Sequence, residues 1–135
     1  MRDKKVMVSN LSIISVVDDD DSVRESLRCL IRSFGFVVEA FASAEEFLNS
    51  DHLRYTRCMI LDVRMPGMSG FELGRRLVAS HREIPVIFIT AHGDEAMRAQ
   101  ALKNGAVDYL FKPFSEEVLL NAIHAALGAN PRERG

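Results

Sequence analysis

Five short apolar runs, each followed by a longer stretch of helical period, limit what this chain can become more than any other feature. The runs are Leu11 to Val17, Phe36 to Phe41, Cys58 to Leu61, Ile84 to Ile89 and Ala106 to Phe111. Short strands alternating with helices build consecutive βα units around a parallel sheet. Between the first two runs, Val23, Leu27, Leu30, Ile31 and Phe34 fall on one helical face. Capping residues precede the helical stretches, namely Ser22 with Glu25, Ser43 with Glu46, Ser69 with Glu72, and then Asp94 and Ser115. Gly35 and Gly105 each follow such a stretch, where a left-handed C-terminal cap favours glycine. The pattern predicts an α/β fold of (βα)5 register, a five-stranded parallel sheet with helices on both faces. Pro85 at a strand start and Pro113 in a loop are compatible with it.

A length of 135 residues, 47% of them hydrophobic, suits one domain able to bury a core without disulfides or a structural metal. Residues 11–128 are expected to form it, with 1–10 a disordered leader and 129–135 a polar tail or the start of a linker. Lys and Arg number 17 against 19 Asp and Glu, so the basic excess that neutralises nucleic-acid phosphates is missing. Leu11 to Val17 is too short for a membrane span or signal peptide and runs straight into aspartates. Cys29 lies in a helical pattern and Cys58 opens an apolar run. Both are expected to be buried reduced thiols, in keeping with a cytoplasmic location.

Ligands of parallel α/β sheets bind outside the carboxyl ends of the strands, so the residues ending each run matter most. Asp18, Asp19, Asp20 and Asp21 follow the first run, Asp62 the third, Thr90 the fourth and Lys112 the fifth. Asp20 and Asp21 read as helix N-terminal carboxylates favoured by the macrodipole, and Asp18 and Asp19 are open to the same reading. Asp62 has no helix to cap unless Met65 to Gly70 is helical. Clustered carboxylates repel and raise one another's pKa unless a cation compensates. Mg2+ is the economical choice, since it is content with one or two carboxylates plus a phosphoryl group. These parts suit phosphoryl transfer, in which a carboxylate is the nucleophile and gives an acyl phosphate. The ion, Lys112 and the Thr90 hydroxyl can then each meet one transferred oxygen.

Four segments at these strand ends carry a family resemblance. They are Val-Val-Asp-Asp-Asp at 16–20, Leu-Asp-Val-Arg-Met-Pro-Gly-Met-Ser-Gly at 61–70, Thr-Ala-His-Gly-Asp at 90–94 and Gly-Ala-Val-Asp-Tyr-Leu-Phe-Lys-Pro-Phe at 105–114. From Ile13 to Leu127 the chain resembles the receiver domain of bacterial two-component response regulators, most closely the FixJ type. The resemblance implies a flavodoxin-like (CheY-like) fold in which Asp62 accepts a phosphoryl group from a sensor histidine kinase. It implies Mg2+, or Mn2+ in its place, held by Asp18, Asp19, Asp62 and the backbone carbonyl of Arg64, with Asp20 the fallback within the aspartate run. Thr90 and Lys112 become the groups that bind the phosphoryl oxygens, and Tyr109 the aromatic partner of Thr90 in the switch, turning inward into space that Thr90 vacates. A cis Lys112–Pro113 bond is also implied. So are a phosphorylation-dependent homodimer through the fourth helix and fifth strand, and a kinase-docking surface at the first helix near Arg24, Ser26, Leu27 and Leu30. Such a domain is not a conventional enzyme, although it promotes its own phosphorylation and dephosphorylation at Asp62. FixJ-type regulators carry a DNA-binding output domain after the receiver, so the chain reads either as a receiver-only regulator or as the front of a transcription factor.

His92, in the loop after Thr90, invites a catalytic role against the plainer reading of a solvent-facing side chain. The Arg64 side chain could screen the acidic site. Three other functions compete. A haloacid-dehalogenase-like phosphatase needs Asp-x-Asp, and the residue two beyond Asp62 is Arg64. A nucleotide-binding flavodoxin-like module needs amides that cradle phosphate in its first loop, where this chain has acids. A pseudo-receiver, kept as a protein interaction module without phosphorylation, would be expected to have lost one of the site residues, and none is lost.

Overall fold

The computed structural model describes residues 13–128, so the expected leader and tail lie outside the described residues. Strand β1 spans Ile13–Val17, β2 Val37–Phe41, β3 Thr56–Asp62, β4 Val86–Thr90 and β5 Asp108–Phe111. All pair in parallel, in the order β2-β1-β3-β4-β5. The helices are α1 at Asp21–Ser33, α2 at Ala44–Leu48, α3 at Gly70–Ala79, α4 at Glu95–Lys103 and α5 at Glu116–Gly128. A 3-10 turn at Asp51–Tyr55, which the apolar pattern does not announce, leads into β3. None of the described helices is long and apolar enough to cross a membrane.

Successive side chains of a strand point to opposite faces, and a parallel sheet covered on both sides buries both sets. Ile14, Val16, Cys58, Ile60, Ile87 and Ile89 join Leu27 and Ile31 of α1 and Leu119 and Ile123 of α5 in one core layer. Val17, Met59, Leu61 and Phe88 face the other layer, where Phe47 of α2, Leu73 and Leu77 of α3 and Ala101 of α4 meet them. Each fully buried Leu, Ile or Phe contributes about 1.5–3 kcal/mol, so the two layers together hold the sheet.

β3 begins two residues before its apolar run because Thr56 has a buried place of its own. Its hydroxyl lies 2.7 Å from that of Ser15 and also donates to the His52 carbonyl. Four of the five expected N-caps are in place, since Ser43, Ser69, Asp94 and Ser115 each accept from a backbone N–H three residues on. At α1 the cap is Asp20, which accepts from Val23 N–H, and Ser22 lies within the helix. Cys58 is buried as expected, whereas Cys29 is exposed. Two positions on from Leu27 and two short of Ile31, Cys29 projects from the side of the helix that turns away from the core.

The first strand connection moves one way from β1 and the rest of the chain builds outward the other way from β3. A crevice opens where the order reverses, at the carboxyl ends of β1 and β3.

Candidate functional site

In the parallel register Val17 of β1 stands beside Leu61 of β3, so the next residues, Asp18 and Asp62, emerge side by side at the reversal point. Asp62 pairs with Ile89, and Thr90, the last residue of β4, pairs with Phe111, which puts Thr90 and Lys112 on the same edge. Strand ends far apart in sequence are thereby brought into one crevice.

Asp18 is fully buried, and both carboxylate oxygens are used. Oδ1 accepts from Asp20 N–H at 2.9 Å and Oδ2 from Lys112 Nζ at 3.0 Å. The Lys112 ammonium also stands 3.9 Å from Asp62 Oδ1. Asp18, Asp19 and Asp62 each offer a carboxylate oxygen, all within 4.8 Å of one another. Asp20 and Asp21 are used at the helix start, Asp20 as its cap and Asp21 in its first turn, paired with Arg24. Arg24 in addition donates to the Asp18 backbone carbonyl at 2.7 Å, which steadies the turn out of β1. Of the expected docking residues on α1, Leu27 is buried in the core and Arg24 is committed to this turn, while Ser26 is exposed.

Burial pushes the Asp62 carboxyl up to about 7 from its ordinary 3.8, and the negative charge of Asp18 adds to the rise, with Asp19 contributing less. Lys112 and a hydrogen bond from the Arg64 backbone N–H oppose it. One ammonium does not balance three carboxylates. A set of hard oxygen donors at this spacing, short of positive charge, fits a divalent cation of the Mg2+ type. The Arg64 side chain is exposed, and Asp62 feels Arg64 through that backbone group rather than through the guanidinium.

Thr90 is buried, and its hydroxyl accepts from the His92 N–H at 3.1 Å. The His92 side chain is exposed, in agreement with the plainer of its two readings. Behind Thr90, Tyr109 is 1% exposed, with its ring edge-on to Phe111 at 5.5 Å and stacked on Phe71 at 6.4 Å. The Tyr109 ring therefore lies inside the domain. Its hydroxyl is buried without a hydrogen-bond partner, and burial raises its pKa. The seat exists because Gly93 has no side chain, since a Cβ there would collide with the Tyr109 hydroxyl and with Thr90 Cγ2. Sequence reasoning missed both Gly93 and the hold of Arg24 on Asp18, because each depends on a contact between separate elements. The Lys112–Pro113 bond is cis, as the resemblance implied.

A family model described as a response regulator receiver domain matches residues 14–124. The response regulator protein TodT of Pseudomonas putida is 49% identical over 128 residues, 95% of this chain and 56% of TodT. The transcriptional regulatory protein FixJ of Azorhizobium caulinodans is 42% identical over 120 residues, 89% of this chain and 57% of FixJ. Among solved structures, the response regulator StyR superposes with a TM-score of 0.83 at 50% identity, covering 92% of this chain and 63% of that one. The structure titled FixJ-N gives 0.78 at 41% identity, covering 87% and 94%. The chain spans a little over half the length of the curated relatives it matches. Because the match runs from β1 into α5 and takes in every strand end of the crevice, the chain belongs to the receiver domain family of two-component response regulators.

Proposed function

We propose that the domain is the phosphoacceptor of a two-component phosphorelay, with Asp62 taking a phosphoryl group from a phosphohistidine of a sensor histidine kinase. The observation that carries this reading is the Asp62 carboxylate at the end of β3, grouped with Asp18 and Asp19 within 4.8 Å and facing Lys112 Nζ at 3.9 Å. In the step proposed, an Asp62 Oδ attacks phosphorus, an O–P bond forms, and the P–N bond breaks with its electron pair leaving on the imidazole nitrogen. Such reactions depend on alignment and charge neutralisation more than on covalent help. Lys112 meets one phosphoryl oxygen and the Thr90 hydroxyl another. The same groups serve the return reaction with water, so the domain promotes its own phosphorylation and dephosphorylation without being a conventional enzyme.

Asp18, Asp19, Asp62 and the Arg64 backbone carbonyl would hold Mg2+, and Mn2+ shares the preference for oxygen donors. Bound there, the ion neutralises charge on the carboxylates and the phosphoryl group. Phosphorylation adds nearly two negative charges and new acceptor oxygens beside the Thr90 hydroxyl. Thr90 then moves toward Asp62 and draws the loop at 91–94 with it, while Tyr109 repacks behind. Thr90 and Tyr109 are the switch pair in this reading. Their motion remakes the outer face of α4 and β5, which controls a homodimer or a C-terminal DNA-binding output domain. The setting this reading implies is cytoplasmic.

The chemistry is tested with phosphoimidazole, a small mimic of phosphohistidine, in the presence of Mg2+. A modification on the peptide containing Asp62 that hydroxylamine removes is the expected result, because acyl phosphates are cleaved by that nucleophile. A hydroxylamine-stable modification, or one on another peptide, contradicts the proposal.

A further inference from the structure

The loop from 63 to 69 joins β3 to α3 and contains Arg64, whose N–H bonds Asp62 and whose carbonyl is one of the ligands proposed above for the cation. Its ends are fixed by backbone bonds, Val63 N–H to the Ile89 carbonyl at 2.9 Å and Gly70 N–H to the Val63 carbonyl at 3.0 Å. The tip is held differently. Met68 N–H donates to Glu45 Oε2 at 3.3 Å, across 23 positions of sequence. Among the described residues, this and the Arg64 N–H bond to the Asp62 carboxylate are the hydrogen bonds that side chains of other elements give the loop.

Glu45 and Glu46 both stand in the first turn of α2, and they divide their work. Glu46 turns back and accepts from Ala42 N–H at 2.6 Å, closing the start of its own helix. Glu45 reaches outward to the loop. Gly67 lets it come close, since a Cβ at that position would lie 3.1 Å from Glu45 Oε2, and its backbone has φ +76, which also favours glycine. Through the Met68 N–H, Glu45 holds the arc that carries Arg64.

We infer that Glu45 is a positioning residue for the phosphoacceptor site, a tether from α2 that fixes the 64–68 arc and so sets the affinity of the aspartate cluster for Mg2+. The inference rests on the function proposed above. Partners outside the ligand sphere orient the ligands, and losing one typically costs metal affinity about tenfold or more. Glu45→Gln keeps an acceptor oxygen for Met68 N–H, whereas Glu45→Ala removes it.

Two measurements on the wild type and both variants test this. Hydrogen exchange of the Met68 amide in metal-free protein is expected to quicken in Glu45→Ala and to stay near wild type in Glu45→Gln. Calorimetric titration with MgCl2 is expected to show affinity about tenfold weaker in Glu45→Ala and near wild type in Glu45→Gln. The rate with acetyl phosphate at saturating Mg2+ should be alike in all three. Unchanged Mg2+ affinity in Glu45→Ala, with only a lower melting temperature, overturns the tether and leaves Glu45 structural. Equal weakening in both variants also overturns it, because the carboxylate would then act through its charge. If the wild type itself binds no Mg2+, the underlying functional reading fails with it.

Discussion

At the scale of the residue, the site turns on a carboxyl group that its surroundings hold back from ionising. Asp62 is placed beside Asp18 in a buried crevice, and its pKa of about 7 lies well above the ordinary 3.8. A carboxyl raised in the folded state stabilises the fold fully below its unfolded value, and that contribution is lost as pH rises through the folded value. Asp62→Asn, which mimics the neutral acid, is therefore expected to stabilise metal-free protein at pH 8 by on the order of 2 kcal/mol. At pH 4 it should change little. Urea unfolding in chelator at the two pH values checks this, and an equal effect at both would contradict it. The two cysteines give a second contrast. Burial pushes the Cys58 thiol up to about 12, while Cys29 is exposed, so a maleimide at pH 8 should label Cys29 alone until the protein is unfolded. Labelling of both thiols in the native state, followed by mass, would show the β3 core to be open.

At the scale of the element, the capping residues and strand ends were largely legible, and the exceptions have local causes. Ser43, Ser69, Asp94 and Ser115 each stand alone as the cap-forming residue before an apolar period, and each caps. Before α1, five consecutive residues from Asp18 to Ser22 are all good caps, so composition leaves the choice open. Tertiary contacts decide it, because Asp18 is buried on Lys112 and accepts from Asp20 N–H, Asp19 stands with Asp18 and Asp62 in the carboxylate cluster, and Asp20 is the one that accepts from Val23 N–H. Asp20→Ala is expected to cost about 1 kcal/mol in urea unfolding, whereas Ser22→Ala should be nearly neutral. The reverse order would put the cap at Ser22. The polar start of β3 was hidden for a similar reason, since a buried threonine bonded to Ser15 has no apolar signature. Strand ends were readable because in a parallel sheet the residue ending each apolar run falls on the crevice edge. The room that Gly93 makes for the Tyr109 hydroxyl was not, since it depends on a missing side chain in another element.

At the scale of the whole molecule, the strand order turns residues spread over 95 positions, from Asp18 to Lys112, into one site, with Thr90 ending β4 and Tyr109 in the neighbouring strand β5. In the proposed switch, a phosphoryl group shifts the balance between two states only by binding one better than the other, and a few kcal/mol of preference converts most molecules. Sedimentation of the protein saturated with beryllofluoride, a phosphoryl mimic, is expected to show a dimer where the untreated protein is a monomer, and an unchanged monomer would remove the dimer from this account. The central claim is that Asp62 accepts a phosphoryl group with the help of a divalent cation, and intact mass after incubation with acetyl phosphate and Mg2+ tests it most directly. The account predicts the gain of one phosphoryl group in the wild type, none in Asp62→Asn, and none in the wild type when the metal is chelated. A folded, Mg2+-binding wild type that gains no mass, or an Asp62→Asn variant that gains the same mass, would contradict it.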